Sequence, residues 1–363
     1  MDEPLIEPPP PSLGSPPLSM PPRAANEAAG PRFIARWDLD KTYLRTNFDT
    51  VRDLVRTAIE RPDQKRTVPG AAALLRELGR AGAEIHILSG SPEQLRSRIE
   101  DKLRLDGARY SSLTLKPNLT NILRFRFRAL RGQLGYKLPT LLLRRAELRA
   151  QHDALGRPLR EVLLGDDAEA DAFVYSLFAD ICAGRVNEGE LAEIMRLGQA
   201  YDDTIEDALR FARYVQCGPV VDRILIHLDR QSSPSDFRMY GPRVVPFYNY
   251  LQAAFVLHDR AFLGSRSVLR IAENLVAAHN FDGATLARGY EDLARRGHVS
   301  GRGRAALEEA LAEGSAERRA PWSPEILRLV SALGSAVAEV REPPTQEPID
   351  YLSLVASHNP RRR

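Results

Sequence analysis

The sequence predicts an α/β fold built on a parallel sheet, followed by an all-α carboxy-terminal domain. Three observations carry that expectation. Short apolar runs at residues 33–37, 84–88 and 161–164 each end in small or acidic residues, as strands buried on both faces do. Segments with apolar residues at helical spacing separate those runs, and strand–helix alternation argues for a parallel sheet. From residue 244 onward the pattern is helical throughout.

The chain has 363 residues and 43% hydrophobic content, enough for one large or two medium domains. No stretch approaches ~18 uninterrupted apolar residues, so no membrane span is expected. The start, Met1-Asp-Glu-Pro, lacks the basic and apolar regions of a secretory signal. Cys182 and Cys217 are the two cysteines. They do not make a disulfide framework and fit a reducing cytoplasm, the expected location. A net charge of +3 is too small to argue for a nucleic-acid partner. The five lysines are Lys41, Lys65, Lys102, Lys116 and Lys137. In so arginine-rich a chain each of them is informative.

Residues 1–31 hold proline runs among Ser, Gly and Ala and read as a disordered tail. Phe33–Asp38 is the first strand. Apolar residues at 48, 51, 54, 55 and 58 predict a helix. Val68-Pro-Gly70 opens another helix, whose inner face is Ala72, Leu74, Leu75 and Leu78. Glu84–Ser91 is the second strand. Pro92 then suits the first position of a helix through Leu95, Ile99 and Leu103.

Residues 92–160 carry sixteen Lys or Arg against six Asp or Glu. Within them, Arg124-Phe-Arg-Phe-Arg-Ala-Leu-Arg131 suits anionic lipid or nucleic acid. The plainer reading, which we favour, is an amphipathic element with an arginine-rich solvent face. Lys137 precedes a helix through Leu141–Leu143 to Leu148. Glu161–Asp166 is a third strand and Val221–Asp229 one more, with a polar helical insertion at 187–217 between them. Residues 32–232 thus form one domain. Gln231–Ser235 reads as a linker. Helices at 244–263, 267–279, 284–297, 303–313 and 321–340 make up a domain over 236–340. There Asn249, His258, Asp259 and His279 show no spacing that implies a site. Residues 341–363 read as a disordered tail.

Four pieces fall in order at strand ends or beside them: Asp38-x-Asp40-x-Thr42, Ser89, Lys137, and Gly165-Asp166-Asp167 with Asp171. Each alone is weak, and Asp171 alone is explained as a helix N-terminal acid. Together they match what phosphate-ester hydrolysis needs. A carboxylate such as Asp38 can attack phosphorus, and Asp40 can protonate the leaving alkoxide and later deprotonate water. An anionic nucleophile and an anionic phosphate are reconciled by Mg²⁺, which takes a few carboxylates plus water and substrate oxygens. Asp38, Asp166 and the Asp40 backbone carbonyl are the expected ligands. Asp167 or Asp171 would orient the metal shell. Thr42, Ser89, Gly90 with its following amides, and Lys137 supply fixed donors to the phosphoryl group.

Those residues resemble the haloacid dehalogenase-like superfamily of aspartate-nucleophile phosphatases. Within it the likeness is to the catalytic domain of the actin-patch-associated phosphatidate phosphatase family. Asp38-Leu-Asp-Lys-Thr42, with Thr46 four residues on, is similar to that family's first motif. Leu88-Ser-Gly-Ser-Pro-Glu-Gln-Leu95 is similar to its second, Leu115-Lys116 to a pair it carries, and Gly165-Asp166 to its fourth. The likeness covers about residues 33–183 and leaves out the carboxy-terminal helices. It implies a Rossmann-like parallel sheet with a small or absent cap, a Mg²⁺ cofactor and an aspartyl-phosphate intermediate. Lys41 stands where the family usually has Asp, Asp167-Ala-Glu replaces its Ser-Gly, and the insertion at 187–217 is not typical.

Asp40-Lys41-Thr42 also echoes P-type ATPases, but Gly-Thr does not follow and no membrane helices are expected. Dehalogenase-type members lack the second aspartate, whereas Asp40 is present. The gaps from Thr42 to Leu88 and from Leu95 to Lys137 are too short for a large cap domain. An open site suits a large or surface-bound substrate. The expected partner is therefore a phosphomonoester, with a phosphatidate-like lipid at a membrane surface favoured. A phosphatase on nucleic-acid ends or phosphoprotein is the alternative enzyme, and a catalytically idle interaction scaffold is the alternative from another class.

Overall fold

The central strand, β1 (Phe33–Asp38), is buried at all six positions, as a strand covered on both faces must be. A computed structural model describes residues 33–44, 67–116, 130–168, 170–215, 218–230, 232–300, 302–317, 322–333 and 347–357. Beside β1 lie β2 (Ala83–Pro92) and β4 (Glu161–Asp166), both parallel to it. With β3 (Ser112–Lys116), β5 (Val221–His227) and β6 (Val244–Phe247) they form a six-stranded parallel sheet, in the order β3-β2-β1-β4-β5-β6. Strand order reverses between β1 and β4, and open sheets of this kind bind ligands beyond the strand carboxyl ends at such a switch point. Trp37 of β1 lies opposite Ile87 and Leu164, so Asp38 and Asp166 leave the sheet on one rim.

Alternate strand residues point to opposite faces, and the core divides accordingly. Trp37, Ile87, Leu164 and Leu225 join a cluster with α1 (Ala71–Arg80) and α2 (Arg96–Leu105). Leu88, Leu163 and Ile224 join a second with α3 (Leu130–Glu147), α4 (Asp171–Cys182), α5 (Glu188–Leu197) and α6 (Asp202–Ala212). The helical carboxy-terminal region comprises α7 (Tyr250–Asp259), α8 (Ser265–His279), α9 (Gly283–Arg295), α10 (Arg302–Glu317) and α11 (Pro324–Leu333). It extends the first cluster: Trp37, Leu74, Tyr250, Leu275 and Ile326 belong to one continuous buried set. Pro31–Arg363 is accordingly one compact unit. Among the described residues no helix is long and apolar enough to cross a membrane.

Several elements differ from the sequence expectation. Val244–Phe247 is an edge strand rather than the start of a helix. Its β-branched valines favour that state, and an edge tolerates Pro246, which has no N–H to donate. Pro92 closes β2, a 3₁₀ turn at Glu93–Leu95 follows, and α2 begins only at Arg96. The helix expected to follow Lys137 begins earlier, at Leu130, so α3 runs through both Lys137 and Pro139. The buried Leu134, Leu138, Leu141 and Leu142 outweigh the interior proline. The strand β3 escapes notice because only Leu113 and Leu115 of its five residues are buried.

Residues 347–357, read as tail, include the helix α12 (Tyr351–Ser357), whose Tyr351 and Val355 are buried. Its Tyr351 hydroxyl donates to Asp180 Oδ2 at 2.6 Å. The helix expected at 48–58, positions 124–129 of the basic run and the tail at 1–31 lie outside the described residues, while Leu130 and Arg131 begin α3.

Arg36 sits inside β1 with its side chain 3% exposed. Glu161 makes this tolerable, accepting from Arg36 Nε at 2.5 Å and from Arg145 Nη1 at 2.8 Å. Burial by itself would push the Glu161 carboxyl up, but the two guanidinium groups hold it below the usual range.

Candidate active site

Beyond β1 the chain makes a tight turn. Tyr43 N and Leu44 N both donate to the Leu39 carbonyl, at 3.0 and 2.9 Å, and Lys41 N donates to the Leu44 carbonyl at 2.8 Å. The turn requires a left-handed residue at Lys41, with φ of 59°. A side chain there costs roughly 1–2 kcal/mol, and such strain gathers where a turn must hold functional groups in place. Asp38, Asp40 and Thr42 project from this turn and all are buried. The Thr42 hydroxyl donates to Asp38 Oδ2 at 3.3 Å.

Asp38, Asp166 and Asp171 converge at the rim. One carboxylate oxygen from each lies within 4.8 Å of the others. Asp166 comes from the end of β4 and Asp171 from the first residue of α4. Two amides hold this arrangement. Ala168 N donates to Asp166 Oδ1 at 2.5 Å, and Asp166 N to Asp171 Oδ2 at 3.2 Å. Lys137 reaches in from α3, its Nζ 2.9 Å from Asp38 Oδ1 and 2.5 Å from Asp171 Oδ1. When ionised, three carboxylates against one ammonium leave two negative charges among these four side chains. They are at most 1% exposed. Three carboxylates make an all-oxygen donor set of the kind a hard cation binds. The triad could therefore hold a metal ion.

Gly165 makes this packing possible. A Cβ there would overlap the carboxylate and Cβ of Asp171. Gly165→Ala is expected to displace Asp171 and to weaken Mg²⁺ binding about tenfold or more, as loss of groups that orient metal ligands does. Titration calorimetry of the two proteins measures it; equal affinities would remove Asp171 from the cation site.

Asp40 belongs to a neighbouring network. Ser89 Oγ donates to its Oδ2 at 2.7 Å, Ser91 Oγ reaches its carboxylate at 3.3 Å, and Ser91 N donates to Ser89 Oγ at 3.0 Å. Tyr136, just before Lys137, donates from its hydroxyl to the Ser89 carbonyl at 3.1 Å. The Lys116 ammonium lies 5.0 Å from the centre of its ring. Burial pushes the Tyr136 phenol well up. Ser89 and Ser91 are buried, and Gly90 between them is half-buried.

The structure brings Asp38, Asp166 and Lys137 together, with Thr42 on Asp38 and Ser89 on Asp40. Two further candidates are placed apart from each other. Asp171, expected to orient the metal shell, stands in the carboxylate cluster itself. Asp167 turns elsewhere: its Oδ1 and Oδ2 accept from Arg230 N and Ser232 N at 2.9 and 3.1 Å. It pins the loop after β5 instead of facing the triad.

Sequence reading missed Tyr136 and Tyr250. Tyr136 has a signal, its adjacency to Lys137. Tyr250 has none, because it comes from the helical region 208 positions after Thr42, to whose carbonyl its hydroxyl donates.

No protein-family model, curated protein or solved structure matches the chain.

Proposed function

We propose that the chain is a phosphomonoester hydrolase of the haloacid dehalogenase-like kind, working through an aspartyl-phosphate on Asp38. The observation that carries the reading is the convergence of Asp38, Asp166, Asp171 and Lys137 at the β1/β4 switch point. Asp38 attacks phosphorus, the ester P–O bond breaks, and protonated Asp40 gives its proton to the leaving alkoxide. Asp40, now a carboxylate, takes a proton from water. That water attacks the aspartyl-phosphate, releasing inorganic phosphate and regenerating Asp38. Ser89 and Ser91 fix the Asp40 carboxylate for both transfers.

Lys137 keeps Asp38 in place and faces the charge that develops on the phosphoryl group. Thr42 orients the nucleophile through Asp38 Oδ2. Asp38, Asp166 and Asp171 would hold Mg²⁺, which when bound neutralises charge between nucleophile and phosphate.

The proposed substrate is a phosphatidate-like lipid, supported by the motif likeness and by the absence of room for a large cap in the sequence. The test is phosphate release from p-nitrophenyl phosphate. Activity is expected with Mg²⁺, its loss with EDTA, and its return when Mg²⁺ is restored in excess. No activity under any of these conditions sinks the reading and favours the scaffold alternative. Phosphatidate vesicles against a 3′-phosphorylated oligonucleotide and a phosphopeptide then divide the substrate classes. A preference for either of the latter overturns the lipid assignment.

A further inference from the structure

We propose that Tyr250, at the start of the helical carboxy-terminal region, is a positioning residue for the turn that carries Asp38, Asp40 and Thr42. The inference rests on the phosphatase reading and extends it to a part of the chain that the motif likeness does not reach.

Tyr250 is fully buried, and its hydroxyl donates to the Thr42 carbonyl. That carbonyl belongs to the residue whose own hydroxyl orients Asp38. Rotating the Thr42 peptide would shift both the carbonyl and the side chain. The Tyr250 ring cannot follow such a shift. It stacks on Trp37 of β1, with centroids 5.8 Å apart and planes at 17°, and on His227 of β5 at 5.5 Å and 27°. Gly70, with φ of +84°, lets α1 approach so closely that an added Cβ would meet Tyr250 Cβ at 3.0 Å.

The helix bearing Tyr250 is itself fixed at that end. Asn249 accepts from Leu251 N and Gln252 N at 3.1 and 3.2 Å, and Gln252 Oε1 accepts in return from Tyr248 N at 2.7 Å. Asn249 N also donates to Gln252 Oε1, at 3.4 Å, which completes a reciprocal cap, and the cap is tied to α9, since Gln252 Nε2 donates to the Gly289 carbonyl at 3.0 Å. Burial, and then the neighbouring Asp166 and Asp38, push the Tyr250 phenol far up, so it remains a donor at working pH. The turn is anchored on its other side by the Tyr43 hydroxyl, 2.9 Å from Asp106 Oδ2.

The test compares wild type, Tyr250→Phe and Phe255→Leu in the full chain. Phe keeps the ring stack and removes only the donor. Phe255 lies on the same helix and packs against Tyr290, with centroids 5.0 Å apart. Its substitution therefore loosens the helix without touching the turn. Tyr250→Phe is expected to lower kcat for p-nitrophenyl phosphate about tenfold or more, as a misplaced reacting group does, with KM within about twofold and little change in Tm. Phe255→Leu is expected to lower Tm and leave kcat unchanged. A wild-type kcat in Tyr250→Phe, or kcat losses that track Tm in both variants, overturns the proposal. Should the wild type show no hydrolysis, the phosphatase reading fails by itself. Amide exchange at Tyr43 and Leu44 then decides: faster exchange in Tyr250→Phe upholds Tyr250 as the holder of the turn, and unchanged exchange rejects it.

Discussion

Asp38→Asn is expected to abolish phosphomonoesterase activity, by roughly 10⁴-fold or more, while the fold survives. Asparagine has the shape of aspartate, and its amide oxygen can still accept from the Thr42 hydroxyl. Lys137 keeps its other partner, Asp171, at 2.5 Å. What disappears is the anionic oxygen that must bond to phosphorus, together with one ligand of the cation site. The measurement is p-nitrophenyl phosphate turnover with Mg²⁺ beside a circular dichroism spectrum of each protein. A folded variant that turns over at the wild-type rate would show that the nucleophile lies elsewhere, and the mechanism would have to be rebuilt around another group.

Lys137→Met is expected to destabilise the chain by about 3–5 kcal/mol, the usual consequence of removing one member of a buried ion pair. Methionine approximates the lysine stem in volume, so the fully buried position stays filled. The loss is electrostatic. Asp38 and Asp171 are 1% and 0% exposed, and the ammonium contacts both. Urea unfolding with and without Mg²⁺ measures it. Because the proposed cation sits among the same carboxylates, Mg²⁺ is expected to return part of the stability. About 2.7 kcal/mol is available at one hundred times its dissociation constant. Stability equal to wild type in the absence of Mg²⁺ would mean that these carboxylates do not need a cation in the folded state, and the charge argument for the site would fall with it.

Local pattern made the first, second, fourth and fifth strands of the sheet legible. Phe33–Asp38, Glu84–Ser91, Glu161–Asp166 and Val221–Asp229 hold short apolar runs that end in small or polar residues. The insertion is likewise visible as two helices at Glu188–Leu197 and Asp202–Ala212. Two elements were misread from local pattern. The helix expected after Lys137 already begins at Leu130 and contains Pro139; Val244–Phe247 looks helical in a helical neighbourhood and pairs with β5. In both places the local preference is worth a few kcal/mol at most, and burial against a distant partner outweighs it. The helix Tyr351–Ser357 was hidden for a related reason. Its seven residues show too little periodicity, and it is held by Asp180, 171 positions away from Tyr351.

The sequence by itself determined the parallel α/β class, the order of the acidic and basic groups along the chain, and the placing of Asp38 and Asp166 at strand ends. These depend on residue type and on spacing within one strand or one helix. Tertiary structure alone decided that Asp171 joins the carboxylate cluster while Asp167 leaves it, and that Tyr250 reaches the Thr42 carbonyl. Successive residues beyond a strand end point in different directions, and only the path of the following loop and helix selects which of them meets its neighbours across the sheet.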